Sequence, residues 1–566
     1  LIGPIVIQSS DADTTLATER FLLFNVFDEV KSNYLKHNLV TNVQTLAGPH
    51  GTRVTLPSPN ISLSLSEGLT RLAKKNDLFR KYSRKHTING RAFCTLAGLN
   101  TGLSGGKRVR WHLLSIGDEV DFHSPSWEGH SVESMFSSAK QNGGSSSPSA
   151  TVPLMPATMH SVDMIMKPGK WGLANLATNH FAAGSRARFV VTGTSESQYA
   201  PAVEPQTNGY KIAQYHIAAD EIEWDYAPAG RDMCSDQDFD EVSQVYTEKG
   251  RHRIGTKYTK AVYREYASNG LFDELRWGDQ SRFNPASEHL GILGPVIKAV
   301  VGETIEIVFR NNLRADANLV ALGGALAPSK VEALNDRQKN AGKTGNRVVV
   351  PGGEVRITIP VSAAAGPVDG SKQNSVAYVY GSDVNFVADV NSGLVGAFIV
   401  HAQDGGSRFS SPVGIHREFV TLLSTFDENL SRYAEMNILK YAEDGDTVDR
   451  TDPAFKTSNR MHSMNGFVHC NGPAAVAKQF QNVRWYMLSV GNSYDLHGPT
   501  VSGYTFATSQ DAAAHQVALL APGMTRTVDL NVDRWGKWLV KDAVVDNQRA
   551  GMEMFFDVTA VLHPGA

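Results

Sequence analysis

Residues 109–123 read VRWHLLSIGDEVDFH, and residues 483–497 read VRWYMLSVGNSYDLH. Trp111 answers Trp485 and His123 answers His497 at one and the same offset. Further on, GKWGLANLATNH (169–180) is answered by GKWLVKDAVVDN (536–547). Each copy opens as a run of β-branched and aromatic residues and passes into Gly and Asp, the pattern of a short strand and its turn. One scaffold is therefore used twice.

The same pattern recurs in RFLLFNVF, RARFVVTG, ETIEIVFRN, EVRITIPV, GLVGAFIVHA, REFVTLLSTF and MEMFFDVTAVL, with Gly, Pro, Asn and Asp between the runs. Few stretches keep a helical period. The chain reads as all-β, built of Greek-key sandwiches or barrels.

At 566 residues the chain exceeds one hydrophobic core, and roughly three to four domains are expected. It is 41% hydrophobic and 20% charged with a net charge of −3. That balance excludes a strong pull toward nucleic acid or anionic membrane. No apolar run approaches the ~20 residues that cross a bilayer. The opening LIGPIVIQ reads as the end of a strand, so a fragment of a longer protein is expected. Cys94, Cys234 and Cys470 form no CxxC pair. Too few for a disulfide framework, they are expected as buried or free thiols; a Cys94–Cys470 bridge would need two domains to meet at matching sites.

Ser/Gly/Pro-rich stretches divide the chain. Residues 137–148 read as a surface loop, 193–209 and 403–414 as linkers, and 326–346 as a long polar loop. Domains are expected over 17–195, 208–403 and 415–566, preceded by a last strand of an earlier domain over 1–16. The outer two share the VRW and GKW motifs. The middle one differs, and its SGLVGAFIV echoes the opening LIGPIVI, so an alternating arrangement of two domain types follows.

EHLGILGPVIKAVVGETIEIVFRN (288–311), IAADEIEWDYAP (217–228), GTKYTKAVYREY (255–266), SGLVGAFIV and FDENLSRY (426–433) closely resemble the A-type domains of ceruloplasmin, hephaestin and the large coagulation cofactors. The resemblance covers essentially the whole chain and implies tandem cupredoxin-like β-barrels. In that family, even domains hold a blue copper through a His, a Cys, a second His five residues later and a Met ten residues later, a soft donor set suited to this metal. On this chain the first set falls on His123, Asn175, His180 and Ser185. The second falls on His497, Asp542, Asn547 and Met552. Neither keeps the cysteine.

The family's trinuclear cluster needs His-x-His pairs, whose imidazoles share one strand face. None occurs among the eighteen histidines, and the two family frames read Ala321–Gly324 and Tyr380–Asp383. The calcium loop reads Asn346-Arg347 before Pro351-Gly352, where an arginine opposes a cation. The A-domain disulfide positions carry Ser375 and His401. These losses imply a chain without a cofactor, its copper gone, and no catalytic residue. The expected role is a non-catalytic scaffold that engages partner proteins in a larger assembly. The alternative is a set of inert domains in a multicopper ferroxidase whose copper sites lie outside this stretch.

Other candidates read as structural. Glu221, Glu223 and Asp225 share one face of a strand, as on a solvated sheet edge. Asp236, Asp238, Asp240 and Glu241 lack the glycine and terminal Glu of an EF-hand. Trp111, Trp171, Trp485 and Trp538 read as core. Asn60 and Asn429 stand in glycosylation sequons. An extracellular or cell-surface place is expected from the family, with a reducing compartment the alternative because disulfides are missing.

Overall fold

The computed structural model describes residues 3–5, 18–42, 45–47, 53–55, 70–71, 73–99, 101–117, 121–134, 149–193, 212–267, 272, 288–343, 347–367, 373–405, 407–508 and 514–561. Their strands form three pairs of sheets and one small hairpin. In the first pair, strands Arg84–Ile88, Thr18–Asp28, Arg108–Ser115, Met159–Ile165 and Glu133–Ser134 lie in that order; Arg186–Val191, Gly169–Asn175 and Pro125–Trp127 form the partner sheet. The second pair places Lys257–Glu265, Ile212–Asp225, Thr304–Asn311, Glu354–Pro360 and Lys330–Ala333 with Val296–Val300, Val395–His401, Ser375–Gly381 and Val320–Ala321. The third places Arg460–Met464, Arg417–Asp427, Asn482–Ser489, Thr525–Asn531 and Ala507–Thr508 with Ala475–Lys478, Glu553–Thr559, Gly536–Asp542 and Pro499–Val501.

In every large sheet the second strand runs parallel to the third, while the first and fourth run antiparallel to their neighbours. A parallel neighbour cannot be reached by a hairpin, so the chain crosses between sheets, as in a Greek-key, cupredoxin-like sandwich. The VRW runs show why they become strands. Val109, Trp111 and Leu113 are fully buried, and Arg110 and His112 lie on the other face. Trp111 and Trp485 are core; Trp171 and Trp538 are half-buried against it.

The sheet pairs do not have separate cores. One cluster runs from Trp224, Tyr226 and Ile292 of the second pair into Leu422, Phe426 and Tyr486 of the third. Trp224 donates to the Gly466 carbonyl at 2.7 Å, and Lys260 is buried against Glu428 with Tyr226 donating to that carboxylate at 2.6 Å. Arg484, 2% exposed, spans the same boundary: it pairs with Asp529 and donates to Asn374 and Ser375. The first pair touches both others. Phe181 packs edge-on against Phe386, and Asn179 exchanges hydrogen bonds of 2.8 and 2.9 Å with Ser493.

Several expectations are corrected here. Cys234 and Cys470 form a disulfide between the second and third sheet pairs, and Cys94 remains a thiol. Sequence reading missed the bridge because the partners are 236 residues apart and meet only through the shared core. Residues 326–346 are not a structureless loop: they hold the strand Lys330–Ala333 and a helical turn, Asp336–Ala341, capped by Asn335 and ended by Gly342 at positive φ. The strand bearing Glu221 and Glu223 pairs on both sides only as far as Ala219, and from Asp220 to Asp225 it pairs on one side alone, with Glu223 exposed as expected. The expectation misses its neighbours: these carboxylates accept hydrogen bonds from Tyr433, Tyr441 and Lys440 of the third pair. The strand expected over 1–16 and the loop over 137–148 lie almost wholly or wholly outside the described residues.

Candidate functional site

Two equivalent places carry the expected ligand frames. In the first, the strand Gly169–Asn175 delivers Asn175 to the side of His123, and the turn Thr178–Ala182 brings His180 over both. His123, Asn175, His180 and Ser185 are all at most 1% exposed. The Asn175 amide oxygen accepts from the backbone N–H groups of Ser124 and Ala177 at 2.9 and 3.2 Å. That fixes its nitrogen toward His123, where it donates to Nδ1 at 2.8 Å. The Ser185 hydroxyl is buried without a hydrogen-bond partner.

A third imidazole completes this place, and sequence reading passed it over. His86, on the edge strand Arg84–Ile88, stands with its Nδ1 2.6 Å from Nδ1 of His180. The rings of His123 and His180 are 4.5 Å apart and those of His86 and His180 4.8 Å apart. Burial, then the charge of Arg84, pushes His86 down to about 4; burial, then His86 itself, pushes His123 down to about 3. Burial, then both neighbours, holds His180 well below the usual range, against the opposing pull of the Phe122 carbonyl. The signal available was KHTING (85–90), which answers MHSMNG (461–466) just as the VRW runs answer one another.

The second frame is closed by a charge. Nδ1 of His497 donates to Asp542 at 2.8 Å, and the other carboxylate oxygen accepts from the Gly498 and Val544 amides at 2.8 and 3.0 Å. Asn547 donates to the same carboxylate at 2.9 Å, and its own oxygen meets His462 at 3.0 Å. Burial raises the Asp542 carboxyl, but the His497 hydrogen bond and charge with the two amides outweigh it and leave it below the usual value. Met552 is wholly buried in the third core. The positions that the family resemblance implied thus lie together in both sheet pairs. Asn175 and Asp542 each hold the neighbouring histidine.

The remaining candidates resolve plainly. Asp240 caps the helix Glu241–Thr247, with Ser243 N–H at 2.8 Å. Arg347 pairs with Glu128 across to the first sheet pair. Ala321 and Tyr380 are strand partners, and Asp383 accepts from Asn318 at 2.7 Å. Asn429 donates to Asp427 at 2.7 Å and to the Lys456 carbonyl at 2.9 Å, and a glycan, replacing one of the two amide hydrogens, would have to break one of these bonds. Asn60 lies outside the described residues. Among the described residues, no group of three or more His, Cys, Asp or Glu stands ready in metal-holding geometry. No helix among them is long and apolar enough to cross a membrane.

Three other histidines set an acid limit on the fold. Nε2 of His289 accepts from the Val420 amide, and Nε2 of His130 from the Lys167 amide, each at 3.0 Å. Burial first of all pushes His289 to about 3 and His130 and His401 to about 4. Unfolded, each titrates near ~6.5. Between those values the unfolded chain binds more protons, so stability is complete above the unfolded value and drains as pH falls through the window. The urea midpoint is expected to drop steadily from pH 7 to pH 5; a flat midpoint there would contradict buried neutral imidazoles.

No family model matches the chain. Over 99% of its length it is 29% identical to ceruloplasmin of Homo sapiens, 31% to hephaestin of Mus musculus and 28% to ferroxidase HEPHL1 of Homo sapiens. It covers 49%, 44% and 45% of those proteins, so the chain spans about half the length of the curated relatives it matches. Among solved structures it is similar to a copper nitrite reductase from Nitrosomonas europaea, at TM-score 0.38 and 16% identity over 63% of this chain and 97% of that one. A multicopper oxidase matches at TM-score 0.37 and 15% identity over 62% and 89%. The homologues overturn one expectation. Homology to ceruloplasmin and hephaestin along the whole chain points to copper, and the reading of a chain without a cofactor is withdrawn.

Proposed function

Taking as premise that this chain is homologous along its length to ceruloplasmin and hephaestin, multicopper ferroxidases, we propose that this stretch is their non-catalytic, structural part. The three sandwiches are welded through shared cores and hold a rigid shape for protein neighbours. Their two ligand frames do not relay electrons through a copper–thiolate bond. One observation carries this reading: Asp542, which the family resemblance puts at the position of the sulfur donor, is saturated by His497, Asn547 and two backbone amides. A carboxylate so engaged is part of the fold's hydrogen-bonding, and a hard oxygen does not replace a soft thiolate in electron transfer.

Exposed apolar side chains beside that frame support a role for protein partners. Tyr494 and Val545 are 63% and 61% exposed, and Val517, Leu519 and Val544 are also open. Were they to form one contiguous patch, they would offer a contact surface. The Cys234–Cys470 bridge supports an oxidising, extracellular setting over a reducing one.

The test is optical. Loaded with copper, the chain is expected to lack the intense blue band of a thiolate–copper bond. Asp542→Cys combined with Asn547→His, which joins a Cys and a second His to His497 and Met552, is expected to produce it. An intense blue band in the unsubstituted chain would sink the proposal.

A further inference from the structure

We propose that a basic surface of the first sheet pair, formed by Arg71, Lys74, Lys75, Arg80, Lys81 and Arg84, binds a linear sulfated polysaccharide. The surface involves neither ligand frame and serves this purpose whether or not the stretch is catalytic. A net charge of −3 over the whole chain conceals an uneven distribution: residues 70–91 carry eight Lys and Arg against one acid, Asp77.

Local packing turns these charges to water. Ala73 and Phe79 pack with Val30, Leu35 and Leu39 in a small core of their own. Asn76, between them, caps the helix Asp77–Ser83 by accepting from the Phe79 amide at 2.8 Å. One side of the segment is thus spent on that core, and all six basic residues are exposed. The acids that reach them among the described residues hold them weakly. Asp77, with its side chain 93% exposed, stands 3.5 Å from Arg80, and Asp28 stands 3.9 Å from Arg84. Exposed pairs of this kind neutralise little.

The third sheet pair shows that the fold does not require this charge. FRKYSRKH (79–86) is answered there by FKTSNRMH (455–462), and the capping Asn76 by the capping Asp452. In that copy Thr451 and Thr457 stand for Lys75 and Lys81, and Arg450 is paired with Glu435 at 2.8 Å. Arg450, Thr451, Lys456, Thr457 and Arg460 stay exposed although the second pair packs beside them. The matching surface of the first pair therefore stays open with a neighbouring sandwich in place.

A row of cations along one segment suits a linear polyanion, which meets several of them at once. The oxidising setting that the Cys234–Cys470 bridge supports selects among such polymers. Outside the cell they are sulfated polysaccharides, whereas the strongly anionic membrane leaflet faces the cytoplasm.

The whole chain, titrated into fluorescein-labelled heparin at about 0.15 M salt, is expected to raise its anisotropy to saturation. Binding should weaken steeply with added salt, because the bound cations release counterions of the polyanion. Lys74→Glu combined with Lys81→Glu should weaken it roughly tenfold, since repulsion replaces attraction, and should leave the urea midpoint unmoved. Lys74→Gln with Lys81→Gln gives the same direction of change if the reversal disturbs the helix. Lys456→Glu, at the matching place of the third pair, should change nothing. No binding to heparin, an unaltered titration in both double variants, or equally tight binding to double-stranded DNA or phosphatidylserine vesicles overturns the proposal.

Discussion

Lys260→Met is expected to destabilise the protein by roughly 3–5 kcal/mol, because it leaves a buried carboxylate without its counter-charge. The Lys260 side chain is 0% exposed and that of Glu428 1%. Its ammonium also donates to the Tyr226 hydroxyl at 2.9 Å and the Asn391 carbonyl at 2.7 Å, and lies 4.4 Å from the centre of the Phe426 ring. Burial pulls the ammonium down and pushes the carboxyl up, and each charge opposes that trend in the other. Taking both away is a different experiment. Lys260→Met with Glu428→Leu is expected to recover most of the loss, since well-packed apolar groups often replace a buried pair at little cost. Urea unfolding of the four proteins measures the coupling; a double variant no better than Lys260→Met would refute the account. The pair joins Lys257–Glu265 of the second sheet pair to Glu428–Leu430 of the third, so the loss should loosen the seam and not one sandwich alone.

Cys470→Ser is expected to have an effect of comparable size. The bridge to Cys234 closes a loop of 236 residues, and loss of so long a cross-link costs roughly 4–5 kcal/mol where the unfolded chain's entropy dominates. Cys470 is 3% exposed beside the shared core, so its partner is released on the surface side of the seam. A reductant should lower the urea midpoint of the parent and leave the Cys470→Ser variant unmoved. Cys94→Ser should behave as the parent. Equal midpoints with and without reductant would mean that the bridge contributes nothing.

Much of the fold was legible in local pattern. Alternation in VRWHLLS puts Trp111 inward whatever surrounds it, and the repeat at Trp485 places a second sandwich with the same ligand frame. The family resemblance added His123, Asn175, His180 and Ser185 and their counterparts, which the structure brings together. Local pattern failed where a residue's partner comes from another sandwich. Glu221 read as solvated because a strand's polar face meets water unless something covers it, and here Tyr433, at the start of the helix Ala434–Tyr441, donates to its carboxylate, while Glu223 stays largely exposed.

What the chain's one-dimensional order determined, then, is the class of fold and the repetition, while the residues of each frame came from the family resemblance. Fold class and repetition follow from periods of two and from offsets along the chain, which need no knowledge of distant segments. Only the tertiary structure decided that His86 meets His180, that Cys234 bonds Cys470 and that Lys260 is buried against Glu428. Each pairing joins segments far apart in sequence. Their meeting depends on how twisted sheets stack and share cores, a free-energy balance over the whole assembly that no local run encodes.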